Sequence, residues 1–118
     1  MPADVTRLER VLRPVDLPEG YRGKIVLVSV QSPEERLLVV RGGDLWHRDI
    51  LRNARAEVSS LGVAGVEVYA EGGAHLSFEA DGSIAIWGGS EEFGACDREF
   101  AAGLVRAAWP DRTVSIHD

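Results

Sequence analysis

One cysteine, one lysine and no long apolar run mark this sequence by what it lacks. The single cysteine, Cys96, leaves no intrachain disulfide and no CxxC metal spacing. Three scattered histidines, His47, His75 and His117, show no HxH or HxxxH spacing, which argues against a zinc site of three or four ligands. No metal and no cofactor is therefore expected. No Lys/Arg cluster occurs and the formal net charge is −6, the opposite of the basic stripe a nucleic-acid binder carries. No apolar run is long enough to span a bilayer, and the first 20 residues hold no unbroken apolar h-region. The expectation is a cytoplasmic protein with no nucleic-acid and no membrane partner. There is no internal repeat, linker or low-complexity tract.

What is present fits one domain over residues 1–118, with a hydrophobic content of 45% that supplies one core. Residues 1–12 mix charged and apolar types without a period and read as a frayed lead-in. Pro14, Pro18 and Gly20 limit residues 15–17 to a short edge strand. Residues 24–30 (KIVLVSV) are apolar on both alternating faces, the mark of a central strand covered on both sides. Residues 36–41 (RLLVVR) read as its hairpin partner. After Gly42-Gly43, Asp44 is expected to cap a helix over residues 45–61, with Trp46, Ile50, Ala54, Val58 and Leu61 as its buried stripe. Residues 63–70 read as a strand, Gly72-Gly73 as a sharp bend, and residues 75–80 as the next strand. Asp81-Gly82 is a hairpin signal, and residues 83–87 return. The loop at residues 88–94 (GGSEEFG) leads into a second helix over residues 95–108, and residues 113–116 close as a last strand. The predicted fold is α/β: a single domain with a mixed sheet of about six strands and two helices, one on each face.

His47 is the most informative candidate for chemistry. With Asp44 as cap it falls in the first helical turn, half-buried beside the apolar stripe. The partial positive charge of a helix start disfavours imidazolium, and a neutral imidazole can accept a proton, as a general base must. The same helix end offers free N–H groups to an anion. A histidine that only packs and hydrogen-bonds is the competing reading. The glycine-rich loop at residues 88–94 can aim backbone N–H groups at a phosphate. It lacks the Walker ending, and a plain connection is the alternative. Lys24, the one lysine beside twelve arginines, and Arg41 are cations on two paired strands that can converge on a phosphate or simply be solvated. Cys96 at the start of the second helix lacks the arginine of a Cys-x5-Arg loop, since Ala102 stands there.

These motifs also occur together in an order that resembles a known family. From Lys24 to Ser115 the chain carries KIVLV, Val40-Arg41-Gly42, Trp46-His47-Arg48-Asp49-Ile50, Gly72-Gly73-Ala74-His75-Leu76-Ser77, the run from Trp87 to Gly94, and Trp109-Pro110-Asp111. This is similar to the 14-kDa phosphohistidine phosphatase family, also called the Janus family. The resemblance implies that His47 is the catalytic base. It implies that Lys24 and Arg41 assist substrate binding, and that Ser90 and its neighbours Glu92 and Gly94 form the phosphate loop. No metal and no catalytic cysteine is implied. The chain departs from the family at His75, a substrate-binding position where an arginine is usual, at Ala74 and Gly89, and at the acids Glu91 and Glu92.

The function expected on these grounds is a metal-independent phosphatase acting on phosphohistidine or a related phosphoramidate. Its partner would be a phosphorylated protein or a small phosphoramidate, and a monomer is the default expectation. A non-catalytic phosphate- or phosphoprotein-binding module, or a hydrolase of another small phosphorylated compound, are the alternatives.

Overall fold

Apolar side chains at consecutive positions dictate a strand covered on both sides, and the computed structural model has one: β2, Arg22–Gln31, buried from Ile25 to Val30. The structure describes residues 8–44 and 46–117. The other strands are β1 (Val15–Asp16), β3 (Arg36–Gly43), β4 (Glu67–Phe78), β5 (Ile84–Trp87) and β6 (Val114–His117). The helices are α1 (Leu8–Val11), α2 (His47–Ser59) and α3 (Arg98–Ala108). The sheet order is β1-β3-β2-β4-β5-β6. The inner pairings are antiparallel, while β1 lies parallel to β3 and β6 parallel to β5. This is the mixed six-stranded α/β sheet the sequence predicts.

Alternation along β2 divides the core. Ile25 and Leu27 join Leu76, Ile84 and Ile86 beneath Ala101, Ala102 and Val105 of α3. Val26, Val28 and Val30 join Ile50, Leu51, Ala54 and Val58 of α2 on the opposite face. The two longer helices therefore cover opposite faces, each burying one apolar stripe. The third, α1, adds Leu8 and Leu12 to the α2 side, and the Leu8 N–H donates to Glu35 Oε1 at 2.8 Å. Residues 8–12 are thus ordered against the core and not frayed; the rest of that lead-in, residues 1–7, lies outside the described residues.

Three boundaries differ from the sequence reading. The first helix begins at His47, not at 45, because the Trp46 carbonyl accepts from the Asp49 and Ile50 N–H groups; Asp44 stands in an exposed bend and Leu45 lies outside the described residues. Gly72-Gly73 does not separate two strands. β4 runs through it with a bulge, since Leu27 pairs with Gly72 and Val28 with Ala70, leaving Glu71 as the extra residue. The second helix starts at Arg98, capped by Asp97 accepting from Phe100 N–H at 3.0 Å, because Ala95 and Cys96 lie extended along β4 instead.

Candidate active site

The bulge in β4 sets where the site forms. The Gly73 N–H donates to the Gly94 carbonyl at 2.9 Å, and the Gly73 carbonyl accepts from Cys96 N–H at 3.0 Å. These bonds dock the loop of residues 88–96 onto the sheet. Gly72 must be glycine: its φ is +130°, and a Cβ there would come within 2.6 Å of the Cys96 backbone. At Gly73 a Cβ would lie 2.6 Å from His47 Cδ2 and 2.8 Å from Ser90 Cβ. The His47 and Ser90 side chains thus converge over the space that this missing side chain leaves.

His47 is the first residue of α2, and its ring is buried, only 6% exposed, rather than half-exposed. Its Nε2 lies 3.2 Å from the Ala74 carbonyl oxygen. A carbonyl can only accept, so Nε2 carries a proton, and in the neutral tautomer of the ring the lone pair is on Nδ1. Trp46, expected in the buried stripe, is 61% exposed instead, because it precedes the helix. The Lys24 Nζ sits 5.6 Å over its ring centroid. His75 lies across from Lys24 in the β2–β4 register; its ring stacks on Trp87 at 5.7 Å and meets His47 edge-on at 5.9 Å. Burial, then the nearby His47 and Lys24, hold the His75 imidazole below its ordinary range.

Together Lys24, Trp46, His47 and His75 line a cavity of about 430 Å³, closed on the other side by Arg48 and by Gly89, Ser90, Glu91 and Glu92. The loop uses much of its own hydrogen-bonding capacity. Ser90 Oγ accepts from the Glu92 and Phe93 N–H groups at 3.2 Å, and Ser90 and Gly94 exchange backbone bonds. The N–H groups of Gly89 and Glu91 lie outside that set, as do those of the first turn of α2, which have no intrahelical acceptor. Arg98 anchors the loop through a 2.6 Å bond to the Gly88 carbonyl. Glu92 faces Arg48 at 3.8 Å, so its charge is partly offset.

Of the residues expected to bind substrate, Lys24, His75, Ser90 and Glu92 stand in this cavity with His47, and Gly94 lies at the base of its loop. Arg41 does not join them. It is 5% exposed and points beneath α2, where Nε and Nη2 grip Glu57 at 2.8 and 2.9 Å and Nη1 donates to the Arg13 and Val40 carbonyls. Sequence reasoning saw the cation but had no way to see its partner on the helix. It also missed Trp46 as an exposed wall, Arg48 as a lining cation and Gly73 as the floor; the adjacent glycines were the one available signal for the last. Cys96 is buried, and burial pushes its thiol up, away from the thiolate a nucleophile needs. Among the described residues no cluster of three or more metal-ligating side chains occurs. A larger hollow of about 810 Å³ lies elsewhere, between Glu19, Asp81, Asp111 and Arg112, and its acids make it a poor anion site.

Fold and cavity define a small α/β domain with a histidine–lysine pocket floored by glycine. A family model described as the Janus/Ocnus family (Ocnus) matches residues 10–113, and the chain belongs to that family. This corrects the family named from the motifs, the 14-kDa phosphohistidine phosphatase family: the match is to Janus/Ocnus, and it states no activity. His75, Gly89, Glu91 and Glu92, the positions at which the motifs depart from that pattern, all line the pocket. A comparison with curated proteins finds no match. Among the described residues no helix is long and apolar enough to cross a membrane.

Proposed function

We propose that this chain is a metal-independent phosphatase that hydrolyses a phosphohistidine or related phosphoramidate, with His47 as general base. The observation that carries the reading is the His47 ring: its Nε2–H is tied to Ala74 O, and it shares one cavity with Lys24 and the Ser90 loop. Phosphoryl transfer asks little covalent work of a protein, so positioning and charge carry most of the catalysis. Lys24 and the N–H groups of Gly89, Glu91 and the α2 start hold the phosphoryl oxygens. Nδ1 of His47 takes a proton from water as the water oxygen bonds to phosphorus and the P–N bond breaks; the departing nitrogen takes up a proton. The substrate is a phosphorylated protein or a small phosphoramidate. The reading places the chain in the cytoplasm, where its single thiol stays reduced.

A second reading, a non-catalytic phosphate-binding module, draws on two observations. Four loop N–H groups are satisfied within the loop, and Glu91 adds an acid to the cavity wall. Hydrolysis assays on phosphoramidate, on a phosphohistidine peptide and on a phosphate ester, each with and without chelator, separate the readings. The expected result is turnover of the P–N substrates that chelator changes by less than about threefold, under ~1 kcal/mol of barrier. Binding of phosphate without turnover would leave the module; turnover of the ester alone would redirect the substrate; loss with chelator would move the chemistry to a metal.

A further inference from the structure

His75 has no task in the mechanism above, although it stands in the middle of the cavity. It sits in one cross-strand row between Lys24 on β2 and Trp87 on β5. Stacking on Trp87 at 5.7 Å and 22° fixes its ring plane, and His47 meets it edge-on at 5.9 Å and 77°. Among the described residues no hydrogen bond ties either of its ring nitrogens. The ring is therefore held in place, partly exposed and with its nitrogens free of hydrogen bonds, on the wall of a cavity shared with Lys24 and His47.

We propose that His75 is a phosphoryl acceptor: a ring nitrogen attacks phosphorus, and the resulting phospho-His75 is the species that water and His47 hydrolyse. The inference rests on the function proposed above and adds a covalent stage to it. In the first displacement the His75 nitrogen forms a bond to phosphorus with its lone pair while the donor P–N bond breaks. The departing nitrogen keeps that electron pair and gains the proton released from the other nitrogen of His75. In the second, water oxygen bonds to phosphorus, the P–N bond to His75 breaks, and the electron pair returns to the ring. His47 Nδ1 takes the proton from water, and the one His75 regains comes from solvent. The net change is one P–N bond hydrolysed to an N–H and inorganic phosphate, with no redox partner.

Two further points support this assignment. The same surroundings that depress the imidazole leave it uncharged near neutral pH, with the lone pair a nucleophile needs. An arginine at this place could not do this chemistry. The donor class also follows. Transfer from a phosphorylated nitrogen to His75 exchanges one P–N bond for another and is nearly balanced, whereas transfer from a phosphate ester is uphill. The pocket should therefore favour P–N donors.

The test is a labelling experiment on the whole chain. Wild type and His47→Ala are incubated with phosphoramidate, quenched in alkali, weighed intact, and mapped by peptide mass spectrometry; wild-type hydrolysis is followed in parallel. His117, exposed at the end of β6, serves as an internal reference for unassisted phosphorylation. The expected result is an acid-labile phosphoryl group on His75, accumulating in His47→Ala at least roughly tenfold faster than on His117, a modest return for a positioned group. A label on His47, equal labelling of His75 and His117, or no label overturns the inference. Hydrolysis without phospho-His75 would sink the inference and spare the proposed function. Phospho-His75 without hydrolysis would keep His75 as the acceptor and overturn both the hydrolytic second stage and the proposed function. Mapping reads the unaltered His75, so the result does not depend on whether a His75 variant folds.

Discussion

The two ends of α2 each bring one residue of the helix close to a basic side chain of the sheet, to opposite purposes. Near the C-terminal end Glu57 meets Arg41, and every distance is that of a closed, satisfied pair under the helix. At the N-terminal end His47 meets Lys24 and His75 around an open cavity. Glu57 sits where the helix dipole is unfavourable to an acid, and the buried guanidinium offsets that. His47 sits where the dipole favours an incoming anion. A cation on this sheet is thus structural where the helix covers it and available to a ligand where the helix has ended.

The sharpest way to break the comparison is to exchange the roles of the two cations. Arg41→Ala leaves Glu57 without its partner, and Glu57 is about one-third exposed. The expected cost is about 3 kcal/mol of stability, the low end for a broken buried pair, read as a lower denaturant midpoint, with phosphate affinity unchanged. A loss of phosphate binding in a folded Arg41 variant would undo the distinction. A slightly smaller effect is expected at the pocket floor. Gly73→Ala pushes a Cβ into the His47 and Ser90 side chains. Displacement of a reacting group by a fraction of an ångström to 1 Å should lower turnover by up to roughly 10²-fold, while thermal unfolding shows a folded protein. Unchanged turnover would mean that His47 and Ser90 need not converge there.

How far these two ends could be read from the sequence differs for a physical reason. β2, the hairpin at Asp81-Gly82 and the opposed helices follow from local pattern, because apolar period and turn chemistry act over a few residues. His47 was legible as well, since a helix start is a local event, although its exact place depended on Trp46 and not Asp44 acting as the cap. Arg41 was not legible, because what decides its role is Glu57, sixteen positions later and brought close only by tertiary packing. Gly72-Gly73 was misread for the same reason. Paired glycines signal a break, but here the Ala95-Cys96 backbone fills the space beside Gly72, His47 and Ser90 fill that over Gly73, and the strand continues.

Smaller effects sharpen the picture at the open end. Lys24→Met should weaken inorganic phosphate about tenfold, the ~1.4 kcal/mol of one charge-assisted contact, by NMR titration; an unchanged affinity would assign Lys24 to Trp46 alone. The smallest expected effect is in the pH dependence of stability. His75 titrates below its ordinary value of 6.5 in the folded chain, so the unfolded chain binds more protons between the two values. Stability is then present above the unfolded value and is lost as pH falls through the folded one. The groups lining the same cavity are Lys24, His47, Arg48, Glu91 and Glu92. Urea midpoints at about pH 7.5 and about pH 5.5, on either side of the ordinary imidazole value, should fall with acidity in wild type and fall less in His75→Asn. An equal drop in both would place the effect on other groups.

Binding and chemistry separate at His47. In His47→Ala, phosphoramidate hydrolysis should fall by roughly 10²–10⁴, the usual contribution of a general base. Inorganic phosphate should still shift the amide signals of Lys24 and the Ser90 loop at wild-type affinity. A variant that binds phosphate and keeps wild-type turnover would contradict the account, as would one that loses its fold along with its activity, since His47 would then be a core residue rather than the base.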